Sequence, residues 1–239
     1  TGVLHHPSTP HIPGMETFQG ALFDSAHWDH SVALDNRRIG VIGMGSTGVQ
    51  IISALAGRAA LVREDIQAIE ANGIRTVDGH LHELDVIALA TGFHPDRFMR
   101  PMRIVGRDGI DLETFWHDRP KAYLAVSMPG FPNFFMLNGP NGPVGNFTLI
   151  DIAEHQWRYI DQLIARIRNG ECTEICASAA TLERFETDRI AAAKTTIWYT
   201  GGCKSWYLDK EGIPSSWPWN YNRFVQEMSE PRWEDFDLV

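Results

Sequence analysis

Ile39-Gly40-Val41-Ile42-Gly43-Met44-Gly45-Ser46-Thr47-Gly48 is the stretch that decides the fold. A short apolar run leads into G-x-G-x-x-G, and apolar residues then recur at Val49, Ile52, Leu55 and Ala56, the spacing of one helix face. The pattern predicts a strand over residues 38–42, a tight turn, and a helix over residues 46–60. In such a unit the first glycine permits the turn, the second lets the backbone approach a pyrophosphate, and the third lets helix and strand pack closely. The anion rests on N–H groups that the first helical turn leaves unpaired, where the helix dipole favours negative charge. Gly43, Gly45, Ser46, Thr47 and Gly48 are therefore candidate cofactor-binding positions; a purely structural glycine turn is the alternative reading of the motif alone. An acid for a ribose hydroxyl, or a base for a 2′-phosphate, is expected about 20 residues on. That count lands on Arg63 and Glu64.

Downstream, a strand is expected over residues 61–66. Residues 73–76 and 80–83 flank Asp78-Gly79, a hairpin turn signal. Residues 85–90 read as a buried strand leading into Thr91-Gly92-Phe93. The stretch 97–143 is loop-rich, with short strands expected near 123–126 and 134–137. Residues 151–169 form the clearest helix, with Ile152, Trp157, Ile160, Leu163, Ile164 and Ile167 as its apolar stripe and Gly170 as its stop. Ser178 is placed to cap a second helix running to about residue 194. The tail is rich in tryptophan (Trp198, Trp206, Trp217, Trp219, Trp233), which serves core packing or lines a substrate tunnel. Upstream of the glycine turn, residues 1–36 are rich in Pro, His and Gly and read as an extended connecting segment.

The chain has 239 residues, 44% hydrophobic and 21% charged, enough to bury one large core or two small ones. A formal net charge of -9 argues against a nucleic-acid partner, since phosphate binding needs a basic face. No run approaches the ~20 apolar residues of a membrane span. Three cysteines, Cys172, Cys176 and Cys203, are too few for a disulfide framework, and Cys172-x-x-x-Cys176 has no second ligand pair, so no metal site is expected. His5, His6, His80 and His82 read as surface residues. A cytoplasmic small-molecule protein fits this profile, and a homo-oligomer is left open.

Three segments together resemble the flavin-containing and Baeyer–Villiger monooxygenases, the class B flavoprotein monooxygenases, with 4-hydroxyacetophenone monooxygenase as the nearest subgroup. Phe18-x-Gly20-x-x-x-Asp24-x-x-x-Trp28 is similar to the family fingerprint, with Asp24 where the family has histidine. Asp85-Val86-Ile87-Ala88-Leu89-Ala90-Thr91-Gly92-Phe93 matches the family's second A-T-G-F strand. Pro129-Gly130-Phe131-Pro132-Asn133-Phe134-Phe135, followed by Asn138-Gly139-Pro140-Asn141-Gly142-Pro143-Val144-Gly145-Asn146, matches the segment that lies against the flavin. Thr1-Gly2-Val3-Leu4 is similar to the end of the family's first A-T-G strand, so the FAD-binding glycine turn of the family is expected to lie outside this sequence. A second absence is expected near Ala60, where the family carries a further strand, a helical insertion and the catalytic arginine. Arg63 would then occupy the NADP-selecting position by accident of that absence.

The resemblance implies an incomplete Rossmann-like α/β flavoprotein with two dinucleotide-binding domains and a mixed α+β C-terminal part. Residues 1–36 would be linker and fingerprint, 37–94 a shortened NAD(P)-binding domain, and 95–239 the C-terminal part of the FAD domain. It implies FAD and NADP(H) as cofactors, O2 and a small ketone or soft heteroatom as substrates, and insertion of one oxygen atom. Thr91, Gly92, Asn138, Gly139, Pro140, Asn141 and Asn146 join the glycine turn as implied cofactor contacts, and Phe18, Gly20, Asp24 and Trp28 as fingerprint positions. No residue matches the family's catalytic arginine, so no catalytic residue is assigned. The alternatives are a catalytically impaired nucleotide-binding homologue and a simple NAD(P)-dependent reductase; the latter leaves the A-T-G-F and Gly-Pro-Asn segments unexplained.

Overall fold

In the computed structural model, which describes residues 4–57, 59–61, 65–94, 97–145, 147–202 and 207–239, the chain divides into two compact units, Gly2–His94 and Pro95–Val239.

The first unit is built on a parallel sheet. Its elements are β1 (Ala21–Asp24), β2 (Ile39–Ile42), α1 (Ser46–Ala54), β3 (Ala59–Leu61), then β4 (Ile66–Glu70), β5 (Gly73–Thr76), β6 (Leu81–Glu83) and β7 (Val86–Leu89). The strand order is β1-β7-β2-β3, with every neighbouring pair parallel. All four residues of β2 and all four of β7 are buried, as parallel strands covered on both faces must be. Alternation then sorts them. Ile39, Val41, Val86 and Ala88 pack with Ile51 and Ile52 of α1 and with Leu55 just beyond it on one face, while Ile42, Ile87 and Leu89 pack with Ile69 and Ile74 on the other. The antiparallel meander β4-β5-β6 supplies that second layer. Its β5–β6 turn is fixed by the Asp78 carboxylate, which accepts from Thr76 Oγ1 at 2.6 Å and His80 N at 3.1 Å, and Gly79 takes φ 87°.

The local reading differs from the structure at three points here. Helix α1 ends at Ala54 rather than reaching residue 60, and Val49 is 57% exposed while Ile51, half-buried, packs toward the sheet. The cause is Gly48: because it faces the sheet, the buried row runs through 48, 51, 52 and 55. Of the strand expected over residues 61–66, Leu61 ends β3 beside β2 and Ile66 opens β4, and residues 62–64 lie outside the described residues. Residues 21–24, read as part of a connecting segment, form β1 and extend the sheet.

Helices are the main regular elements of the second unit: α2 (Leu112–Phe115), α3 (Leu149–Arg168), α4 (Ala179–Ala193), α5 (Ile197–Thr200) and α6 (Tyr221–Glu227), with β8 (Ile175–Ala177) antiparallel to β9 (Phe236–Leu238). Thr148 caps α3 by accepting from Asp151 N, and Gly170 ends it at φ 74°. Ser178 caps α4 by accepting from Thr181 N. The core gathers Tyr123, Ile152, Tyr159, Ile160, Leu163, Phe185, Trp217, Phe224 and Phe236. Trp217 is therefore a core residue, stacked edge-on against Trp219 with centroids 4.7 Å apart. Trp157, expected in the apolar stripe, is 54% exposed; Gln156 and Tyr159 are buried instead. Of the strands expected near 123–126 and 134–137, the first is a turn and the second is irregular extended chain without strand pairing. Leu124 and Ala125 both have positive φ, and Tyr123 and Ser127 form an isolated bridge across them.

Asp235 and Arg189 are among the polar residues buried in this unit. Asp235 is 2% exposed and accepts from Tyr123 Oη at 2.5 Å and Thr181 Oγ1 at 3.1 Å, with Arg184 also bonded to it. Burial first, and the Asp235 carboxylate second, push the Tyr123 hydroxyl above the usual phenol range. Arg189 is 1% exposed and makes a two-pronged pair with Glu186 at 2.7 and 2.9 Å. Cys172 and Cys176 are buried and free, and burial pushes the Cys176 thiol up.

Candidate functional site

The glycine turn leaves the carboxyl end of β2 and starts α1. Gly43 has φ 118°, and a Cβ there would stand 2.2 Å from Ala90 O, so only glycine lets the turn pass the end of β7. A Cβ on Gly48 would lie 2.1 Å from Gly43 O. Gly45 differs: its φ is -75° and a Cβ there would meet nothing within 4 Å. Two of the three glycines are thus required by the chain's own packing, whereas the second borders open space. That space is a cradle which a side chain would fill. The first backbone bond of α1 runs from Val49 N–H to Gly45 O at 3.1 Å, so the amides of Ser46, Thr47 and Gly48 precede any partner within the helix. Open room and forward-facing amides at the carboxyl edge of a parallel sheet are what a pyrophosphate needs.

The fingerprint positions have clear local duties. A Cβ on Gly20 would sit 2.3 Å from Asp85 O, so Gly20 lets the chain close onto the start of β7, where Ala21 N–H donates to Asp85 O at 3.1 Å. Phe18 packs under the meander side of the sheet, and Trp28 stands edge-on to Phe23 at 4.8 Å. Asp24 ends β1 and accepts from Ala26 N at 2.8 Å through Oδ1. Beyond β7, Thr91 Oγ1 donates to Ser8 O at 2.6 Å, and Gly92 accepts from Ser8 N at 2.8 Å. Gly92 takes φ 80° with no neighbour where a Cβ would be. Arg63 and Asn146 lie outside the described residues.

In the second unit, Asn138, Gly139, Pro140 and Asn141 form a tight loop ahead of α3. Asn138 and Asn141 both have positive φ, at 51° and 66°, a conformation asparagine tolerates better than most residues. A Cβ on Gly139 would be 2.3 Å from Ala125 O, so the loop lies directly on the 122–127 turn. Gln156, fully buried on α3, holds both: its Oε1 accepts from Asn138 N at 2.7 Å and its Nε2 donates to Leu124 O at 3.4 Å. The loop is braced from the other side as well. Asn141 Nδ2 donates to Ser215 O at 3.2 Å, Trp217 N donates to Gly142 O at 3.1 Å, and Arg189 Nη1 donates to Pro214 O at 2.9 Å. With both amide groups committed to carbonyls, the buried Oδ1 atoms of Asn138 and Asn141 are acceptors without a hydrogen-bond partner. The loop therefore holds two acceptor oxygens that no described donor satisfies. Beside it, Asn138, Leu149, Ile150, Ala153, Glu154 and Trp157 line an open cavity of about 460 Å³. Sequence reading missed Gln156, Ser215 and Arg189; no motif marks them, because their partners are far away along the chain.

Comparison with known proteins agrees with this geometry. Residues 1–71 match the FMO-like family, described as flavin-binding monooxygenase-like. An uncharacterized monooxygenase of Mycobacterium tuberculosis (strain ATCC 25618 / H37Rv) is 34% identical over 348 residues, covering 100% of this chain and 70% of the relative. That span exceeds the 239 residues of this chain, so the relative carries a segment inside it that this chain lacks. A Baeyer-Villiger monooxygenase of Pseudomonas aeruginosa is 24% identical, covering 87% of this chain and 60% of the relative. In fold, the chain is similar to cyclohexanone monooxygenase from Rhodococcus sp. Phi1 bound to NADP+, with TM-score 0.80 and 21% identity over 99% of this chain and 73% of that one. A parallel sheet with a cofactor-shaped glycine turn and a relative this similar along the whole chain lead to one assignment: the chain belongs to the flavin-binding monooxygenase-like family of class B flavoprotein monooxygenases.

Proposed function

We propose that the chain is an FAD- and NADPH-dependent monooxygenase of the Baeyer–Villiger type, inserting one oxygen atom of O2 into a small ketone or a soft heteroatom. The observation that carries this reading is Gly45, a glycine of the turn that the fold itself does not require and that borders open space at the start of α1. In it, Gly43, Gly45, Ser46, Thr47 and Gly48 hold the nucleotide pyrophosphate, with Thr91 and Gly92 at the neighbouring strand end. Asn138, Gly139, Pro140, Asn141 and Asn146 face the flavin, whose imide N–H would meet the free asparagine oxygens. When bound, FAD supplies the electron storage and the oxygen transfer. The protein's part is to place the two cofactors and to keep water out. A cytoplasmic location goes with this reading and is checked by cell fractionation.

The test is direct. The purified 239-residue chain is mixed with FAD and desalted, and its absorbance is read at flavin wavelengths together with its intact mass. Retained flavin and ketone-dependent NADPH oxidation support the proposal; a protein that neither consumes NADPH nor binds NADP+ overturns it. One observation favours a second reading, an impaired nucleotide-binding homologue: no arginine here matches the family's catalytic one. Calorimetric NADP+ binding without oxygen consumption would select that reading.

A further inference from the structure

Asp24 closes β1 at the carboxyl edge of the parallel sheet. It is in register with Leu89 of β7, and Leu89 is in register with Ile42, after which the glycine turn begins. Asp24 thus stands two strands, about 10 Å, from the opening of the cradle. The sheet places β3 on one side of β2 and β7-β1 on the other, so the strand order reverses between β2 and β7. A dinucleotide crossing such a reversal point lays one half over β2 and β3 and the other half towards β7 and β1. Asp24 belongs to the second half.

Its chemistry is unfinished. Oδ1 is committed to Ala26 N–H at 2.8 Å, whereas Oδ2 is buried and has no hydrogen-bond partner. An ionised carboxylate oxygen only accepts, so the partner it lacks is a donor. Buried polar atoms without partners are uncommon and ask for a specific reason. The reason available at this edge is a ligand.

We propose that Asp24 Oδ2 accepts a hydrogen bond from the nicotinamide half of bound NADP(H), through a ribose hydroxyl or the carboxamide amino group. Asp24 is then a positioning residue for the end of the cofactor that carries the hydride. The inference rests on the dinucleotide site proposed above.

The experiment is calorimetry on the full chain with two ligands, NADP+ and 2′-phospho-ADP, which lacks both the nicotinamide and its ribose. Asp24→Asn keeps an oxygen for Ala26 N–H and replaces the free acceptor by a donor, so the 3-10 turn after β1 survives; an unchanged thermal melt verifies this. The expected result is NADP+ binding weakened about tenfold or more, with 2′-phospho-ADP unchanged within about twofold. The analogue bearing a carboxylic acid for the carboxamide separates the two donors: wild-type affinity falls if the amide is the donor and holds if the hydroxyl is. Equal losses for both ligands, or none for NADP+, overturn the proposal while leaving the dinucleotide site intact. If the wild-type chain binds neither ligand, the dinucleotide site itself is wrong and this inference falls with it.

Discussion

A Cβ built on Gly48 would stand 2.1 Å from the carbonyl oxygen of Gly43. The first turn of α1 therefore rests on the bend that precedes it, with no room for a methyl group and only backbone to yield. Gly48→Ala is expected to destabilise the first unit by about 1–3 kcal/mol. Gly45→Ala, which meets nothing within 4 Å, is expected to change stability by less than about 1 kcal/mol. The same substitution fills the cradle and should weaken NADP+ binding by about tenfold or more. Urea unfolding and calorimetry on the two variants separate these effects. A Gly45→Ala protein that binds NADP+ like wild type would refute the pyrophosphate role of the turn.

The contrast between these glycines shows what a sequence can disclose. Strand, turn and helix were readable at residues 39–54 because apolar period and glycine spacing are local, and the caps at Ser178 and Gly170 were readable for the same reason. The rotation of α1 was not, because the Gly48–Gly43 contact sets it, not the helix's own periodicity. Leu124-Ala125-Val126 reads as strand yet turns through two left-handed residues, held by Gln156 from another element. The four-residue β1 has too short a pattern to stand out among the prolines and histidines around it. At the candidate site the glycines and asparagines were legible through their motifs, whereas Gln156, Arg189 and Ser215 acquire their roles only when the chain folds.

Asp85 gives a prediction in acid. Its carboxyl is pulled down to about 2, chiefly by the Arg38 side chain and then by the Arg38 backbone N–H. A carboxyl lowered on folding stabilises the native state above its unfolded value of about 3.9, and that contribution disappears as pH falls through the folded value. Stability of the first unit should therefore drop between about pH 4 and about pH 2. Asp85→Asn should lower the urea midpoint at neutral pH and flatten the acid slope over that window. An acid slope unchanged in the variant would assign the loss to other carboxylates.

Arg189 and Glu186 form a buried pair that is costly to break from one side. Arg189→Met strands the Glu186 carboxylate and is expected to destabilise the second unit by about 3–5 kcal/mol. Replacing both with methionine should recover most of that, leaving about 1–2 kcal/mol for the donor lost by Pro214 O. Urea midpoints of the single and double variants decide the matter. A double variant as unstable as the single one would mean that Arg189 acts mainly through Pro214.

Gln156 makes the last prediction, since it links stability to the proposed flavin loop. It is 0% exposed, and its amide accepts from Asn138 N–H on one side and donates to Leu124 O on the other. Both partners sit in left-handed backbone, where little else would hold them. Gln156→Leu fills similar volume but leaves two buried backbone groups unpaired, at about 1–3 kcal/mol each. The loop should then relax, and the Asn138 oxygen should leave its place. FAD affinity, followed by flavin fluorescence, should fall at least about tenfold. Asp161→Asn, an exposed change on the same helix, should leave affinity within about twofold. Loss of stability without loss of FAD affinity would show that the flavin does not read the conformation Gln156 holds.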